Sequence, residues 1–182
     1  MPSILVAYAT TEGQTEKVAR RVETTLRERG HDVTLVTLGG GTPPDPADFD
    51  GVVVAGSIHA GRHQPVVETF VRDHVDALNA RPTGFLSVSL SAAEEATQAE
   101  AEGYVDAFLE ETGWKPRVTL PVAGALRYTE YGFLKRTLVK HVVGKRSGDT
   151  DTSRNYEYTD WGAVEAFAAD LAAAIEPAPT TR

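Results

Sequence analysis

The feature that most limits the fold of this chain is a short apolar run near its start, followed by a small polar turn. Residues 3–15 have the sequence SILVAYATTEGQT, in which five of the six residues at 4–9 are aliphatic. A short run that is apolar almost throughout predicts a parallel strand buried on both faces. The polar turn at 10–15 leads into a helical pattern, and the free N–H groups at the start of a helix attract anions. The stretch therefore predicts a phosphate-binding loop at the carboxyl end of the first strand.

The composition is that of an ordinary globular chain, and it excludes several classes of function. A length of 182 residues is enough for one domain with a substantial core. The net charge of −8 argues against nucleic acid as a partner. The absence of cysteine excludes disulfides, iron–sulfur clusters and thiolate zinc sites, and no metal site is predicted. With no secretion signal and no membrane-spanning run, we expect a cytoplasmic protein, or one peripheral on the inner face of the cell membrane.

Strand and helix patterns alternate along the chain, which predicts a parallel sheet covered on both faces by helices. Apolar runs predict strands at 4–9, 31–38, 51–56, 83–90 and 117–125, and Pro121 favours an edge position for the last of them. Apolar residues at helical spacing predict helices over 14–29, 67–78 and 101–109, and a last helix capped by Asp160. We expect a single domain over residues 1–176 and a flexible tail at 177–182.

Three polar loops follow the first, third and fourth predicted strands, at residues 10–15, 57–62 and 87–92. In an open α/β sheet, ligands bind at the carboxyl ends of the strands, where the strand order reverses. From the residues alone the ligand is phosphorylated or nucleotide-like. The alternative is a polar strand-to-helix turn that binds nothing.

These residues resemble the flavodoxin superfamily, whose first loop has the pattern Thr/Ser-x-Thr-Gly-Asn-Thr. The loop in this chain is TTEGQT, with Glu12 and Gln14 at the two positions that depart from that pattern. A closer resemblance is to the FMN-containing, menaquinone-dependent protoporphyrinogen IX dehydrogenase family of haem biosynthesis. The stretches that carry it are EGQT at 12–15, GSI at 56–58, AGALRY at 123–128, GDTDT at 148–152 and YTDW at 158–161.

The resemblance implies a flavodoxin-like three-layer α/β/α sandwich. Its five-stranded parallel sheet would have the order 2-1-3-4-5, with an inserted basic segment, residues 127–152, before the last helix. The resemblance also implies FMN as the cofactor, with its phosphate in the first loop and its ring near the other two loops and the segment from Gly124 onward. The implied cofactor-binding residues are Thr10, Thr11, Glu12, Gly13, Gln14, Thr15, Ser57, Ile58, His59, Ala60, Gly61, Ser87, Val88, Ser89, Leu90, Ser91, Gly124, Ala125, Leu126, Arg127 and Tyr128.

Many flavodoxins hold the flavin ring between aromatic side chains of the second and third loops. Here the second loop offers His59 and His63, and the third offers no aromatic side chain. The ring is therefore either more exposed, or stacked on Tyr128 or Tyr131 of the later segment. The two histidines are candidates for proton transfer or, equally, for structural roles.

The basic segment has no counterpart in a short flavodoxin. Over residues 127–146 it has six Lys or Arg and a single acid, Glu130, with an apolar stripe at helical spacing. Such a stripe with basic flanks suits an interface with anionic lipid. Alternatively, its Arg and Lys pair with the propionates of a tetrapyrrole and a Tyr packs on the ring, or the segment is a solvated helix. The substrate-binding candidates are Arg127, Tyr131, Lys135 and Arg136.

The activity that the resemblance implies is oxidation of protoporphyrinogen IX to protoporphyrin IX, with the electrons passed to menaquinone or another quinone. The catalytic candidates are His59 and Arg127, and no obligatory base is assigned. One alternative is a flavodoxin-type electron-transfer protein that serves protein partners. Another is a binding module that has lost FMN. The oligomeric state is left open.

Overall fold

The computed structural model describes residues 1–127 and 155–177. Tyr128, Tyr131, Lys135 and Arg136 lie outside the described residues, as do the rest of the basic segment up to residue 154 and the tail from residue 178. The roles predicted for them, and the division of the chain into a domain, an insertion and a tail, remain predictions.

The predicted parallel sheet is present. Its five long strands have the spatial order β2-β1-β3-β5-β6, which is the predicted order once the short return strand β4 is counted. All four neighbouring pairs among them are parallel, and Pro121 lies in the edge strand as expected. The strands of this sheet are β1 Ser3–Tyr8, β2 Asp32–Thr37, β3 Gly51–His59, β4 Arg62–His63, β5 Thr83–Ser89 and β6 Val118–Ala123.

Helices cover both faces of the sheet, because its central strands are apolar on both sides. Ile4 and Val6 of β1 pack with α1 and α5, whereas Leu5 and Ala7 pack on the opposite face with residues of α2, α3 and α4. The three-layer α/β/α sandwich is therefore confirmed. The helices are α1 Gln14–Glu28, α2 Pro65–Asp73, α3 Val75–Asn79, α4 Gln98–Thr112 and α5 Trp161–Ile175.

The helix predicted over residues 67–78 is divided in two at His74. The backbone of His74 leaves the helical region, at φ −121° and ψ 17°, and its Nδ1 is 2.9 Å from the carbonyl oxygen of Phe70. The helical spacing of apolar residues continues across the break, since Val71 and Leu78 are both buried. The spacing of apolar residues therefore predicted the buried face correctly but did not predict the break at His74.

Two short antiparallel strand pairs also differ from the sequence-based expectation. β3 runs past its predicted end at residue 56 to His59, and turns back through β4 in an antiparallel pair. Beyond β6, strand β7 Ala125–Arg127 pairs antiparallel with β8 Asn155–Glu157. Both pairs follow the carboxyl ends of strands of the sheet. Within the described ranges, no helix is both long and apolar enough to cross a bilayer.

Candidate functional site

The turn after β1 leads into helix α1 at the carboxyl edge of the sheet. Gly13 adopts a left-handed conformation, φ 87°, and its N–H donates to Oγ1 of Thr10 at 2.9 Å. Helix α1 begins at the next residue, and no described side chain caps its N-terminus. Because the first-turn N–H groups of a helix lack partners within the helix, this end can accept an anion.

A cavity of about 210 Å³ opens directly beside this turn. Its walls come from the turn after β1, the β3–β4 hairpin, the end of β5 and the residue after β6. The structure thus brings together the three predicted loops and Gly124, and every lining residue belongs to the predicted cofactor-binding set. The lining residues are Thr10, Thr11, Glu12, Gln14, Thr15, Ser57, Ile58, His59, Ala60, Val88, Ser89, Leu90 and Gly124.

The other members of the predicted set are placed elsewhere. Gly13 shapes the turn through its backbone, and Gly61 forms the tip of the β3–β4 hairpin beside a smaller cavity. The side chain of Ser87 is buried against His63, and Ser91 is buried with its carbonyl oxygen accepting from Thr97 Oγ1 at 2.6 Å. Ala125, Leu126 and Arg127 form strand β7.

Two buried hydroxyl groups at the cavity lack hydrogen-bond partners among the described residues. Thr15 Oγ1 and Ser89 Oγ belong to side chains on its wall that are 1% and 6% exposed. A buried hydroxyl without a partner costs free energy, so such groups in a native protein call for a ligand or ordered water. Hydroxyl and N–H donors around one cavity fit an anionic phosphate group.

Gln64 joins two of the loops that form the cavity, a role that no sequence pattern indicates. Its Nε2 donates to Oγ of Ser57 at 2.5 Å and to the carbonyl oxygen of Ala9 at 3.3 Å, while its Oε1 accepts from the N–H of Ser57 at 2.9 Å. The dipeptide Gln64-Pro65 marks a helix start. Only the β3–β4 hairpin, however, brings Ser57 within reach of the amide.

The hairpin itself turns through Ala60 and Gly61, both of which have positive φ. Their values are 52° and 81°, and the two-residue loop is closed by the pair His59 and Arg62. Such two-residue turns match the twist of antiparallel strands. Left-handed backbone at a residue other than glycine is uncommon, and it sits here at a cavity-lining position.

Of the two histidines proposed for proton transfer, the structure separates one from the cavity. His63 is 8% exposed, packs against the rings of Phe85 and Phe108, and its Nε2 is hydrogen-bonded to Ser87 Oγ at 2.8 Å. Burial lowers the pKa of His63 to about 4, although Glu68 opposes the shift. His63 is therefore a neutral structural residue, whereas the exposed His59 lines the cavity.

The buried imidazole predicts a specific dependence of stability on pH. Because the folded-state pKa lies near 4 and the unfolded value near 6.5, the unfolded chain binds more protons between these values. The unfolding free energy should therefore fall as the pH decreases from about 6.5 to 4, by about 3 kcal/mol from this group. Urea unfolding at several pH values measures this change in the unfolding free energy. The pH dependence should be flatter in His63→Gln and unchanged in His59→Gln. An equal pH dependence in both variants would assign the effect to other groups.

The smaller cavity, about 80 Å³, lies between the hairpin and α4. Its polar groups already have partners: the Arg62 guanidinium is 3.6 Å from Glu68 and 3.4 Å from Glu111. A ligand there would displace these ion pairs. The larger cavity, with its unpartnered hydroxyl groups, is the better candidate site.

Comparison with known proteins shows the family to which the chain belongs. A family model described as a flavodoxin domain matches residues 5–153. The chain is 32% identical to the protoporphyrinogen IX dehydrogenase (quinone) of Escherichia coli strain K12, over 92% of this chain and 93% of the relative. It is also 32% identical to the protein of that name from Leishmania major, over 98% of this chain and 79% of the relative.

Solved structures agree on the fold. A short-chain flavodoxin associated with a non-canonical PDU bacterial microcompartment has a TM-score of 0.60 at 18% identity, covering 97% of this chain and all of the other. Oxidised flavodoxin 1 from Bacillus cereus has a TM-score of 0.56 at 14% identity, covering 93% of this chain and 96% of the other. This chain therefore belongs to the flavodoxin domain family and, within it, to the protoporphyrinogen IX dehydrogenase (quinone) family.

Proposed function

We propose that this protein oxidises protoporphyrinogen IX to protoporphyrin IX with FMN as cofactor, and passes the electrons to a quinone. The observation that carries the proposal is the cavity at the carboxyl edge of the sheet, with its unpartnered hydroxyl groups at Thr15 and Ser89. It occurs in a chain whose relatives, at 32% identity over most of its length, bear the name of this activity.

The first loop would hold the phosphate of FMN. The uncapped N-terminus of α1 supplies backbone N–H donors, and Thr15 supplies a hydroxyl donor that has no other described partner. Ser89 and the β3–β4 hairpin would border the remainder of the cofactor. When bound, FMN supplies the redox chemistry, and the protein supplies binding, orientation and electrostatics.

Dehydrogenation of the macrocycle also releases protons, which need an acceptor. The exposed imidazole of His59 lies on the cavity wall, and we propose it as a proton acceptor. Arg127 is the last residue of strand β7, which begins directly after Gly124. We propose that Arg127 binds a propionate of the substrate.

The test supplies the purified holoprotein with protoporphyrinogen IX and a menaquinone analogue, and follows porphyrin fluorescence. We expect porphyrin to form faster than by autoxidation, in proportion to enzyme and quinone. A yellow protein that does not exceed the autoxidation rate would reject the dehydrogenase and leave the electron-transfer alternative. A colourless protein that takes up no added FMN would reject both.

His59→Gln should slow porphyrin formation without releasing FMN.

Peripheral membrane contact through residues 127–146 is part of the proposal, resting on the charge of that stretch. Cosedimentation with anionic and with neutral vesicles tests it. Binding to anionic vesicles that weakens with salt is the expected result, and equal recovery in the supernatant with both vesicle types would reject it.

A further inference from the structure

Helix α1 begins at a glutamine whose side chain is directed to a segment 145 residues away. Gln14 is 3% exposed, and its Nε2 donates to Oγ1 of Thr159 at 2.9 Å. The Thr159 hydroxyl in turn donates to the carbonyl oxygen of Ala123 at 2.6 Å. Three groups are thus joined in one chain of hydrogen bonds that runs from the cofactor loop to the end of β6.

The far end of that chain is the wall of the cavity at Gly124. The N–H of Gly124 donates to the carbonyl oxygen of Ser89 at 3.0 Å, and its own carbonyl oxygen accepts from the N–H of Tyr158 at 3.2 Å. Strand β7 follows at once and pairs with β8. The contacts of Thr159 therefore connect the cofactor loop to the residue before Gly124 and to the start of the β7–β8 pair.

A second group of contacts fastens the same two parts of the chain. Lys17, one turn after Gln14, pairs with Glu157 at 3.1 Å, and Trp161 Nε1 donates to Glu157 at 3.1 Å. Partial burial raises the pKa of Glu157, but hydrogen bonds from Lys17, Trp161 and Gln14 outweigh it and hold that pKa below its usual value. These side chains are partly exposed, so their ion pairs contribute less than the buried bonds of Gln14.

We infer that Gln14 and Thr159 are positioning residues, which hold the Gly124 wall of the cavity at a fixed place relative to the cofactor loop. Gln14 stands where the flavodoxin pattern has asparagine. Asparagine is shorter by one methylene, so its amide does not span the distance to Thr159. The inference rests on the proposed function, since the wall borders the cavity proposed to hold FMN and to receive the substrate.

The experiment compares Gln14→Asn, Thr159→Val, the double variant and Thr159→Ser, all as FMN-loaded full-length protein. In the first two we expect the amide of Tyr158 to exchange with solvent about 10-fold faster. We expect the KM for protoporphyrinogen IX to rise about 10-fold with kcat little changed, and the FMN affinity of Thr159→Val to stay within about 3-fold. Because both residues share the bond between them, the effect of the double variant should be smaller than the sum of the two single effects.

Two controls isolate the role. Thr159→Ser keeps the hydroxyl and should restore wild-type exchange and KM. Thr25→Val removes a half-buried hydroxyl that donates to the Arg21 carbonyl oxygen at 2.9 Å on α1, away from the cavity, and should change neither.

Three results would overturn the inference: unchanged exchange at Tyr158, additive effects in the double variant, or a large loss of FMN affinity at unchanged KM. The last would make Gln14 a cofactor ligand instead. Amide exchange is read without turnover. A wild-type protein that fails the porphyrin assay therefore rejects the proposed function, while exchange and the double variant still decide whether the two residues position the wall.

Discussion

Thr15→Val is expected to weaken FMN binding by about 10- to 100-fold, and at the same time to stabilise the protein without cofactor by about 1 kcal/mol. The Thr15 side chain is 1% exposed, and its hydroxyl has no partner among the described residues, so the folded chain carries an unsatisfied buried donor. Valine has nearly the same shape and removes that donor. Loss of the hydroxyl weakens binding only where a phosphate would accept its hydrogen bond, so in the apoprotein the substitution removes a cost. Flavin fluorescence quenching and urea unfolding of the apoprotein measure the two effects.

Thr83→Val is the matched control. Thr83 is fully buried, but its hydroxyl accepts from Nε1 of Trp114 at 2.9 Å. Valine there leaves the indole N–H without a partner, so the unfolding free energy should fall by about 1–3 kcal/mol with FMN affinity unchanged.

Riboflavin, which lacks the phosphate, should bind Thr15→Val as well as it binds the wild type. An equal loss of riboflavin and FMN would place Thr15 away from the phosphate.

Gly84→Ala should lower the unfolding free energy by about 3 kcal/mol, because the new methyl group has no room. A Cβ built at Gly84 would lie 2.5 Å from Cζ of Phe167 and 3.1 Å from Cγ2 of Val118. Phe167 is 4% exposed and packed between α5 and the sheet, so its ring cannot move aside without disturbing the core. Urea unfolding of the apoprotein is the measurement.

Gly103→Ala, the same chemical change on the exposed face of α4, should act in the opposite direction. No atom lies within 4 Å of the position its Cβ would take. Alanine in a helix is favoured over glycine by about 0.5–1 kcal/mol, so this variant should be more stable than the wild type. A stability loss at Gly103 as large as at Gly84 would mean that the close approach of Phe167 is not the cause.

Most of the fold followed from local pattern. The alternation of strands and helices, the edge position of the strand with Pro121 and the Asp160 cap, whose Oδ1 accepts from the N–H of Ala163 at 3.1 Å, are all present. The alternation and the cap depend on residues close together in sequence. The strand order was implied by the family resemblance, because the pairing of distant strands is not a local property. The β3–β4 hairpin escaped prediction, because its turn uses left-handed backbone at Ala60, which the sequence does not mark.

The candidate site, too, could be predicted only in part from the sequence. Twelve of the thirteen residues that line the larger cavity lie in the three loops predicted from the sequence, because loops at the carboxyl ends of parallel strands must meet there. The thirteenth, Gly124, was implied by the family resemblance. The roles within that set were not resolved by pattern. Burial and the bond to Ser87 remove His63 from the list of proton acceptors, and the reach of Gln64 to Ser57 depends on a turn between them.

The sequence by itself determined a parallel α/β sheet covered by helices and predicted a phosphate-binding loop at TTEGQT, because apolar periodicity and strand-to-helix turns are local. The flavodoxin-like strand order came from the family resemblance, and the structure confirms it. Only the tertiary structure decided what the side chain of Gln14 contacts and which hydroxyl groups stay without partners. Those outcomes depend on residues that are distant in the chain. Gln14 contacts Thr159, and Ser89 lies at the same cavity as Thr15, only when the sheet is assembled.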